Sequence, residues 1–244
     1  MEVATLVFTP DRLAVVKGGP AVRRAYLDRA LARLLPARAA LPAEYAAVLG
    51  QRNAALRRVA VGVSSRAALE PWTERTAELG WSLVEARREA LELLGPAIPA
   101  AGEELGLPDL RLEYRGEPVD AAALVDRIDR DLERGSTGAG PHLDDVAVLA
   151  GERDLRLYGS QGEQRLAVLS LLLGEAAVLT ERRGVPPLLL LDDVLSELDP
   201  ERRRSLAGLL AGRGQALVTA TDATFLPVDP DLLLRVSPGE AVRG

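Results

Sequence analysis

The feature that most constrains the fold is an uncharged stretch that ends in two adjacent carboxylates. Residues 187–191 read Pro-Leu-Leu-Leu-Leu, and Asp192 and Asp193 follow directly. A continuous apolar run of this length is typical of a strand buried on both faces, as in a parallel sheet. Ligands of α/β sheets bind at the carboxyl ends of such strands. The pattern predicts the metal-binding strand of a nucleoside triphosphatase, while a core strand followed by an acidic helix cap would give the same pattern.

Composition narrows the possible classes of protein. The chain has 244 residues, 48% of them hydrophobic, which is enough for one large domain or two small ones. It has no cysteine and one histidine, His142, so disulfides, thiolate metal sites and multi-histidine sites are excluded. No apolar run approaches the roughly 18 residues of a membrane span, and the N-terminus does not resemble a signal peptide. We therefore expect a cytoplasmic protein that does not bind membranes.

Charge is unevenly distributed along the chain. The net charge is −6, but residues 1–70 contain 11 Lys+Arg and 5 Asp+Glu and so carry +6, which leaves −12 for the remainder. A basic end can bind a polyanion such as DNA, although a solvated arginine-rich helix face gives the same count. The candidates for contacts with DNA phosphates are Arg23, Arg24, Arg52, Arg57 and Arg58.

Periodicity and turn residues divide the chain into three regions. Residues 1–16 contain a predicted strand at 3–8, residues 17–108 form a helical arm, and residues 109–244 alternate between strands and helices. The arm has predicted helices at 21–35, 42–59 and 67–94. The third region has predicted strands at 111–114, 145–150, 154–158, 187–192 and 216–219, predicted helices at 118–134, 161–182 and 200–211, and a terminal hairpin.

A second candidate site lies at the start of the predicted helix at 161–182. Ser160, Gln161 and Gly162 stand where unpaired backbone N–H groups and the helix dipole favour an anion such as phosphate. Ser160 is also a good N-cap, which is the simpler interpretation. The acidic strand follows about 30 residues later, and the two motifs in this order are more specific than either one.

The two carboxylates suit different tasks. Asp192 is a candidate ligand of Mg²⁺, which prefers oxygen ligands and retains some of its waters. Asp193 is the candidate catalytic residue, because phosphoryl transfer needs a group that orients or deprotonates the attacking water. Asp199 precedes Pro200 at the next predicted helix and could simply cap that helix.

Several motifs together resemble one family. Gly-Ser-Gln-Gly-Glu-Gln-Arg at 159–165 and Leu-Leu-Leu-Leu-Asp-Asp-Val-Leu-Ser-Glu-Leu-Asp at 188–199 resemble the signature, Walker B and D-loop motifs of an SMC-like ABC ATPase. More closely, the chain resembles the RecF family of DNA replication and repair proteins. The stretches at 8–13, 17–20, 23–28, 51–56 and 140–145 match the same family.

The resemblance implies an α/β fold, the C-terminal part of an ABC-type ATPase head with an inserted α-helical arm. It also implies ATP and Mg²⁺ as cofactors, an ATP-dependent homodimer on DNA, and other recombination mediator proteins as partners. The resemblance also assigns roles to single residues. The γ-phosphate bound to the opposite subunit would be faced by Ser160, Gln161, Gly162 and Glu163, and the D-loop would consist of Ser196, Glu197, Leu198 and Asp199. The switch position would be occupied by Thr219.

Two features depart from the family's pattern. Glu163 replaces a glutamine and is expected to add negative charge near the phosphate. No Gly-x-x-x-x-Gly-Lys-Ser/Thr motif is present, and the only lysine, Lys17, precedes Gly-Gly-Pro. We therefore expect a truncated chain that lacks ATPase activity on its own.

Two alternatives remain open on the sequence. One is a non-enzymatic module for DNA binding or dimerisation. The other is a two-metal nuclease built on Asp144, Asp145, Asp192 and Asp193. His142 lies in a Gly-Pro-His loop, where a hydrogen-bonded turn histidine is expected rather than a catalytic one.

Overall fold

Eight strands form three separate sheets in the computed structural model, which describes residues 4–243. The strands are β1 (Thr5–Phe8), β2 (Leu110–Arg115), β3 (Asp145–Ala150), β4 (Arg153–Asp154), β5 (Leu188–Leu191), β6 (Ala216–Val218), β7 (Leu234–Ser237) and β8 (Glu240–Arg243). The sheets have the orders β1-β5-β6, β2-β3-β4 and β7-β8. Val3, the first residue of the predicted N-terminal strand, lies outside the described residues.

The sheet that positions the acidic pair is parallel, with β5 in its centre. Phe8 of β1 lies opposite Leu191 of β5, and Val218 of β6 lies opposite Leu191 on the other side. Leu189 and Leu191 are buried, whereas Leu188 and Leu190 are only half-buried. Successive side chains of a strand point to opposite faces, so one face of β5 is less covered than the apolar run predicts.

The described part of the chain has ten α-helices. They are α1 (Ala14–Lys17), α2 (Pro20–Leu34), α3 (Leu41–Ala60), α4 (Glu70–Leu94), α5 (Ala97–Glu104), α6 (Ala121–Asp126), α7 (Ile128–Arg134), α8 (Leu155–Tyr158), α9 (Gln161–Arg183) and α10 (Pro200–Leu210). α3 and α4 pack along each other, and α5 packs along α9. Between residues 4 and 243, no helix has both the length and the hydropathy needed to cross a bilayer.

The long predicted helices are present, but two local predictions were wrong and one short helix was not predicted. In the predicted strand at 154–158, only Asp154 is extended, at the end of β4, and residues 155–158 form the one-turn helix α8. The Asp154 side chain accepts a hydrogen bond from the Arg156 N–H at 2.9 Å and caps that turn. The predicted helix at 118–134 is interrupted at Arg127, between α6 and α7. The one-turn helix α1 lies between the predicted strand at 3–8 and the predicted helix at 21–35, where no element is predicted.

Close packing of α5 on α9 requires a glycine at position 174. A Cβ atom there would lie 2.8 Å from Ile98 Cγ1 and 3.0 Å from the Ile98 backbone nitrogen. We expect Gly174→Ala to lower the free energy of unfolding by about 1–3 kcal/mol, because overpacking outweighs the better helix propensity of alanine. Urea denaturation would measure this change.

Gly208 in α10 is the matched control. A Cβ atom at Gly208 would have no heavy atom within 4 Å, so Gly208→Ala should raise the free energy of unfolding by up to about 1 kcal/mol. If both variants changed the free energy of unfolding by the same amount, the contact with Ile98 would not be what destabilises Gly174→Ala.

Candidate functional site

The carboxylate pair is fixed by both strands that flank β5. The Asp192 N–H donates to the Phe8 carbonyl at 2.9 Å, and the Thr219 N–H donates to the Leu191 carbonyl at 2.9 Å. The Asp192 side chain is exposed and the Asp193 side chain is half-buried. The carboxyl end of the central strand therefore presents one acid to solvent and holds the other partly inside the protein.

Thr219 orients both acids through its hydroxyl group. The hydroxyl donates to Asp192 Oδ1 at 2.6 Å and accepts from the Asp193 N–H at 3.0 Å. The structure thus brings the proposed switch residue into direct contact with the pair. Its role as a switch stays a prediction.

Asp193 carries two local energetic costs. Its φ angle is 47°, in the left-handed region that side-chain-bearing residues rarely adopt. Its Oδ1 atom is buried and has no hydrogen-bond partner among residues 4–243, and a buried acceptor without a partner is unfavourable. Strain and unsatisfied groups of this kind concentrate at functional sites.

Replacing Asp193 with glycine is therefore expected to stabilise the protein. Glycine adopts the φ angle without steric cost and removes the orphan oxygen, so we expect a gain of about 1–2 kcal/mol in the free energy of unfolding. The exposed Asp109 is a matched control, because its φ angle is 54° but it has no orphan atom. A gain for Asp193→Gly no larger than the gain for Asp109→Gly would mean that the buried oxygen costs nothing.

The second motif forms a complete capping box at the start of α9. The Glu163 N–H donates to Ser160 Oγ at 3.2 Å, and the Ser160 N–H donates to Glu163 Oε2 at 2.8 Å. Ser160, Gln161 and Gly162 are exposed. A Cβ atom at Gly162 would meet only Arg202 Nη1, at 4.0 Å. The capping role of Ser160 is thus present, and the space over Gly162 is open to a ligand.

The charge of Glu163 is offset by a neighbour that sequence reasoning missed. Arg153 lies 2.7 Å from Glu163 Oε1. The hydrogen bond from Arg153, followed by that from the Ser160 backbone, lowers the pKa of Glu163 to about 2. The expected negative charge at this helix start is therefore paired with a positive one. No motif or spacing in the sequence relates residue 153 to residue 163.

The D-loop residues divide into structural and accessible members. Asp199 caps α10 by accepting from the Glu201 and Arg202 N–H groups at 3.1 and 2.9 Å, and the bond from Arg202 leads the effects that lower its pKa. Leu198 is buried, and Ser196 donates to the Asp193 carbonyl at 3.2 Å. Glu197 is exposed.

Glu197 joins the D-loop to α9. Its Oε2 atom lies 3.2 Å from Nη2 of Arg165, a buried side chain on the first turns of α9. The Nε and Nη1 atoms of Arg165 have no partner among the described residues. The helix that begins with Ser160-Gln161-Gly162 is therefore tied by one ion pair to the turn that follows the acidic strand.

Two of the five predicted DNA contacts were wrong. Arg23 is buried and holds Asp145 through two hydrogen bonds of 2.7 Å, and Arg52 is completely buried against Asp131 at 2.9 Å. A buried guanidinium needs an internal counter-charge, so neither side chain can reach a DNA phosphate. Arg24 is half-buried and donates to the Asp144 carbonyl at 2.6 Å, while Arg57 and Arg58 are exposed.

The acids proposed for a two-metal nuclease are already engaged. Asp145 pairs with Arg23, and Asp144 accepts a hydrogen bond from the Tyr114 hydroxyl at 2.5 Å. No group of three or more histidine or carboxylate side chains in the described part of the chain is arranged to hold a metal ion. The geometry of these acids gives the nuclease alternative no support.

His142 is a hydrogen-bonded turn histidine, as expected. Its Nε2 atom lies 3.1 Å from the Thr137 carbonyl and must donate to it, so Nδ1 accepts from the Tyr45 hydroxyl at 2.7 Å. Burial lowers the pKa of His142. The imidazole is therefore held neutral between α3 and the loop before β3.

Curated relatives resemble almost the whole chain. The DNA replication and repair protein RecF of Geobacter sulfurreducens is 40% identical over 260 residues, which cover 97% of this chain and 68% of that protein. RecF of Myxococcus xanthus is 40% identical over 264 residues, 99% of this chain and 69% of that protein. RecF of Anaeromyxobacter sp. strain K is 42% identical over 240 residues, 91% of this chain and 63% of that protein. The chain thus spans about two thirds of the length of these relatives.

Solved structures give the same result, whereas no protein-family model matches. The recombination mediator protein RecF with ATP, of the RecFOR pathway, superposes with a TM-score of 0.84 at 28% identity and covers 99% of this chain and 67% of that one. The RecF-ATPrS structure gives a TM-score of 0.82 at 28% identity, with 99% and 68% covered. The predicted fold of an ABC-type ATPase head with an inserted helical arm is confirmed. The chain belongs to the family of the DNA replication and repair protein RecF.

Proposed function

We propose that this chain acts in DNA repair as a RecF-type protein that binds DNA and contributes to an ATP and Mg²⁺ site between its head and a second head. The proposal rests on the pair Asp192 and Asp193 at the carboxyl end of the central strand. Thr219 forms a hydrogen bond with each of these two residues. The likeness to the RecF-ATP structure supports ATP as the nucleotide.

The acids fit a hydrated Mg²⁺ ion and a water molecule. Asp192 would hold the ion, because its carboxylate is exposed and one oxygen is already oriented by Thr219. When bound, the ion would neutralise charge on the phosphate oxygens. Asp193 would accept a hydrogen bond or a proton from water through its half-buried carboxylate. The hydrogen bond from its N–H group to Thr219 would fix the backbone of Asp193.

The start of α9 would act on the nucleotide of the opposite head. Ser160 and the backbone at Gly162 are exposed and would donate to the γ-phosphate. Arg153 would prevent Glu163 from repelling that phosphate, because the two side chains are paired. Since the sequence has no P-loop motif, we propose that it contributes this half of a composite site and does not hydrolyse ATP alone.

A mixed-head assay tests this proposal. The full-length RecF of Geobacter sulfurreducens would carry a substitution of its own signature serine, so that hydrolysis requires a signature from a second chain. Addition of the wild-type chain should restore ATP hydrolysis. The Ser160→Thr variant should also restore hydrolysis, because threonine also caps helices. The Ser160→Arg variant should not restore it. Failure of the wild-type chain to restore hydrolysis, although the two proteins associate, would refute the proposal.

A second candidate function is a DNA-binding or dimerisation module without ATPase activity. It is favoured by the missing P-loop motif and by the exposed Arg57 and Arg58 on α3. Two results together would favour this function. The DNA affinity of the wild-type chain should fall steeply with salt, and less steeply after Arg57→Glu and Arg58→Glu. In the mixed-head assay, the wild-type chain should not restore ATP hydrolysis.

A further inference from the structure

Three arginines lie together beside β1, outside the site described above. Arg12 follows β1 and is half-buried, while Arg29 and Arg33 lie one turn apart on α2. The pKa of Arg12 is lowered by burial and by the positive charges of Arg29 and Arg33. Like charges this close are unfavourable unless an anion compensates them.

The protein supplies one carboxylate to this cluster. Glu175 of α9 is buried and forms an ion pair with Arg33. Arg12 and Arg29 have no ion pair among residues 4–243, and Arg183 adds a further charge by donating to the Arg33 carbonyl at 2.8 Å. The cluster therefore keeps an uncompensated positive charge.

The Tyr26 hydroxyl is a hydrogen-bond donor without a partner in the described structure, and Tyr26 lies beside the same arginines. The Tyr26 side chain is 6% exposed, and its hydroxyl is buried with no hydrogen-bond partner in the described structure. Tyr26 lines a cavity of ≈ 30 Å³ together with Arg12, Arg33 and Glu175. The cavity has room for a water molecule, which would satisfy the hydroxyl, but not for a phosphate group or a nucleotide.

The cluster is also remote from the start of α9. Glu175 and Gln161 lie on the same helix, and the rise of an α-helix places them roughly 20 Å apart. A nucleotide bound at Ser160 could not supply the missing anion. A polyanion that passes over this surface can supply it instead.

We propose that Arg12, Arg29 and Arg33 form a binding site for phosphate groups of the DNA backbone. Guanidinium groups bind phosphate through paired N–H donors and do not lose their charge. Arg29 and Arg33 occupy one face of α2 at a spacing that allows both to contact a passing strand. The inference rests on the proposed function, since that function supplies DNA as the polyanion.

The test measures binding of the full chain to a fluorescent 30-base-pair duplex as salt is increased. Arg12→Gln with Arg29→Gln should lower affinity roughly 10- to 100-fold at 0.1 M salt and reduce the slope of log affinity against log salt by about 2. Arg33 is retained because its loss would leave Glu175 buried and unpaired. Neither replaced arginine has an internal ion pair, so the double variant should fold, which thermal unfolding would verify.

The control is Arg235→Gln with Arg243→Gln, which removes the same charge from the exposed hairpin β7-β8. Equal effects of the two double variants, with DNA binding intact in the wild-type chain, would overturn this site alone. Absence of DNA binding by the wild-type chain would overturn the DNA-binding part of the proposed function as well.

Discussion

Asp131→Ala is expected to lower the free energy of unfolding by about 3–5 kcal/mol. Asp131 is completely buried; one carboxylate oxygen bonds Arg52 at 2.9 Å and the other accepts the Gly138 N–H at 3.0 Å. Arg52 also donates to Thr137 at 2.6 Å. Removal of the carboxylate would leave a positive charge and a backbone donor buried without their partner. Urea denaturation followed by circular dichroism would measure the loss.

Asp129 provides a control two residues away on the same helix. It pairs with Arg66 at 2.6 Å, but the two side chains are 77% and 63% exposed. Asp129→Ala should therefore change the free energy of unfolding by less than about 1 kcal/mol. Similar losses for the two variants would indicate that Arg52 is hydrated in solution and that its burial is not maintained.

Phe8→Ala should cost about 3–5 kcal/mol and should also loosen the acidic pair. Phe8 is fully buried on β1, lies opposite Leu191, and accepts the Asp192 N–H at its carbonyl. The lost ring would leave a cavity under the end of β5, where the backbone of Asp192 is held. Thermal and urea unfolding would give the stability, and hydrogen exchange at the Asp192 amide would report on the site.

Two other substitutions on β1 serve as controls for Phe8→Ala. Phe8→Leu keeps most of the buried volume and should cost less than about 1.5 kcal/mol, and Thr5→Ala alters an exposed side chain of the same strand. If the Asp192 amide exchanged at an unchanged rate in Phe8→Ala, β1 would not be responsible for holding the acidic pair.

The central strand and the long helices could be predicted because their patterns are local. The apolar run before Asp192 predicts a strand at 187–192, and β5 covers Leu188–Leu191. The helix predicted from the capping serine to residue 182 is α9, Gln161–Arg183. Each of these elements is specified by residues within a few turns of one another.

The roles of charged side chains could not be predicted, because they depend on partners distant in sequence. Arg23 and Arg58 look alike as positions in a basic segment, yet Arg23 meets Asp145 in the interior while Arg58 is exposed. Arg153 beside Glu163 follows only from the path of the chain through β4 and α8. A count of charges cannot distinguish an internal counter-ion from a ligand contact.

The central sheet cannot form until most of the chain has been synthesised. β1 pairs only with β5 in the described structure, and about 180 residues separate Phe8 from Leu191. At the usual rate of translation, β1 would wait roughly 10–40 s for that partner to leave the ribosome. Throughout this interval an apolar strand with unpaired edges is open to wrong partners. A chaperone that shields β1 during this interval should therefore increase the yield of folded protein more than one that acts after release.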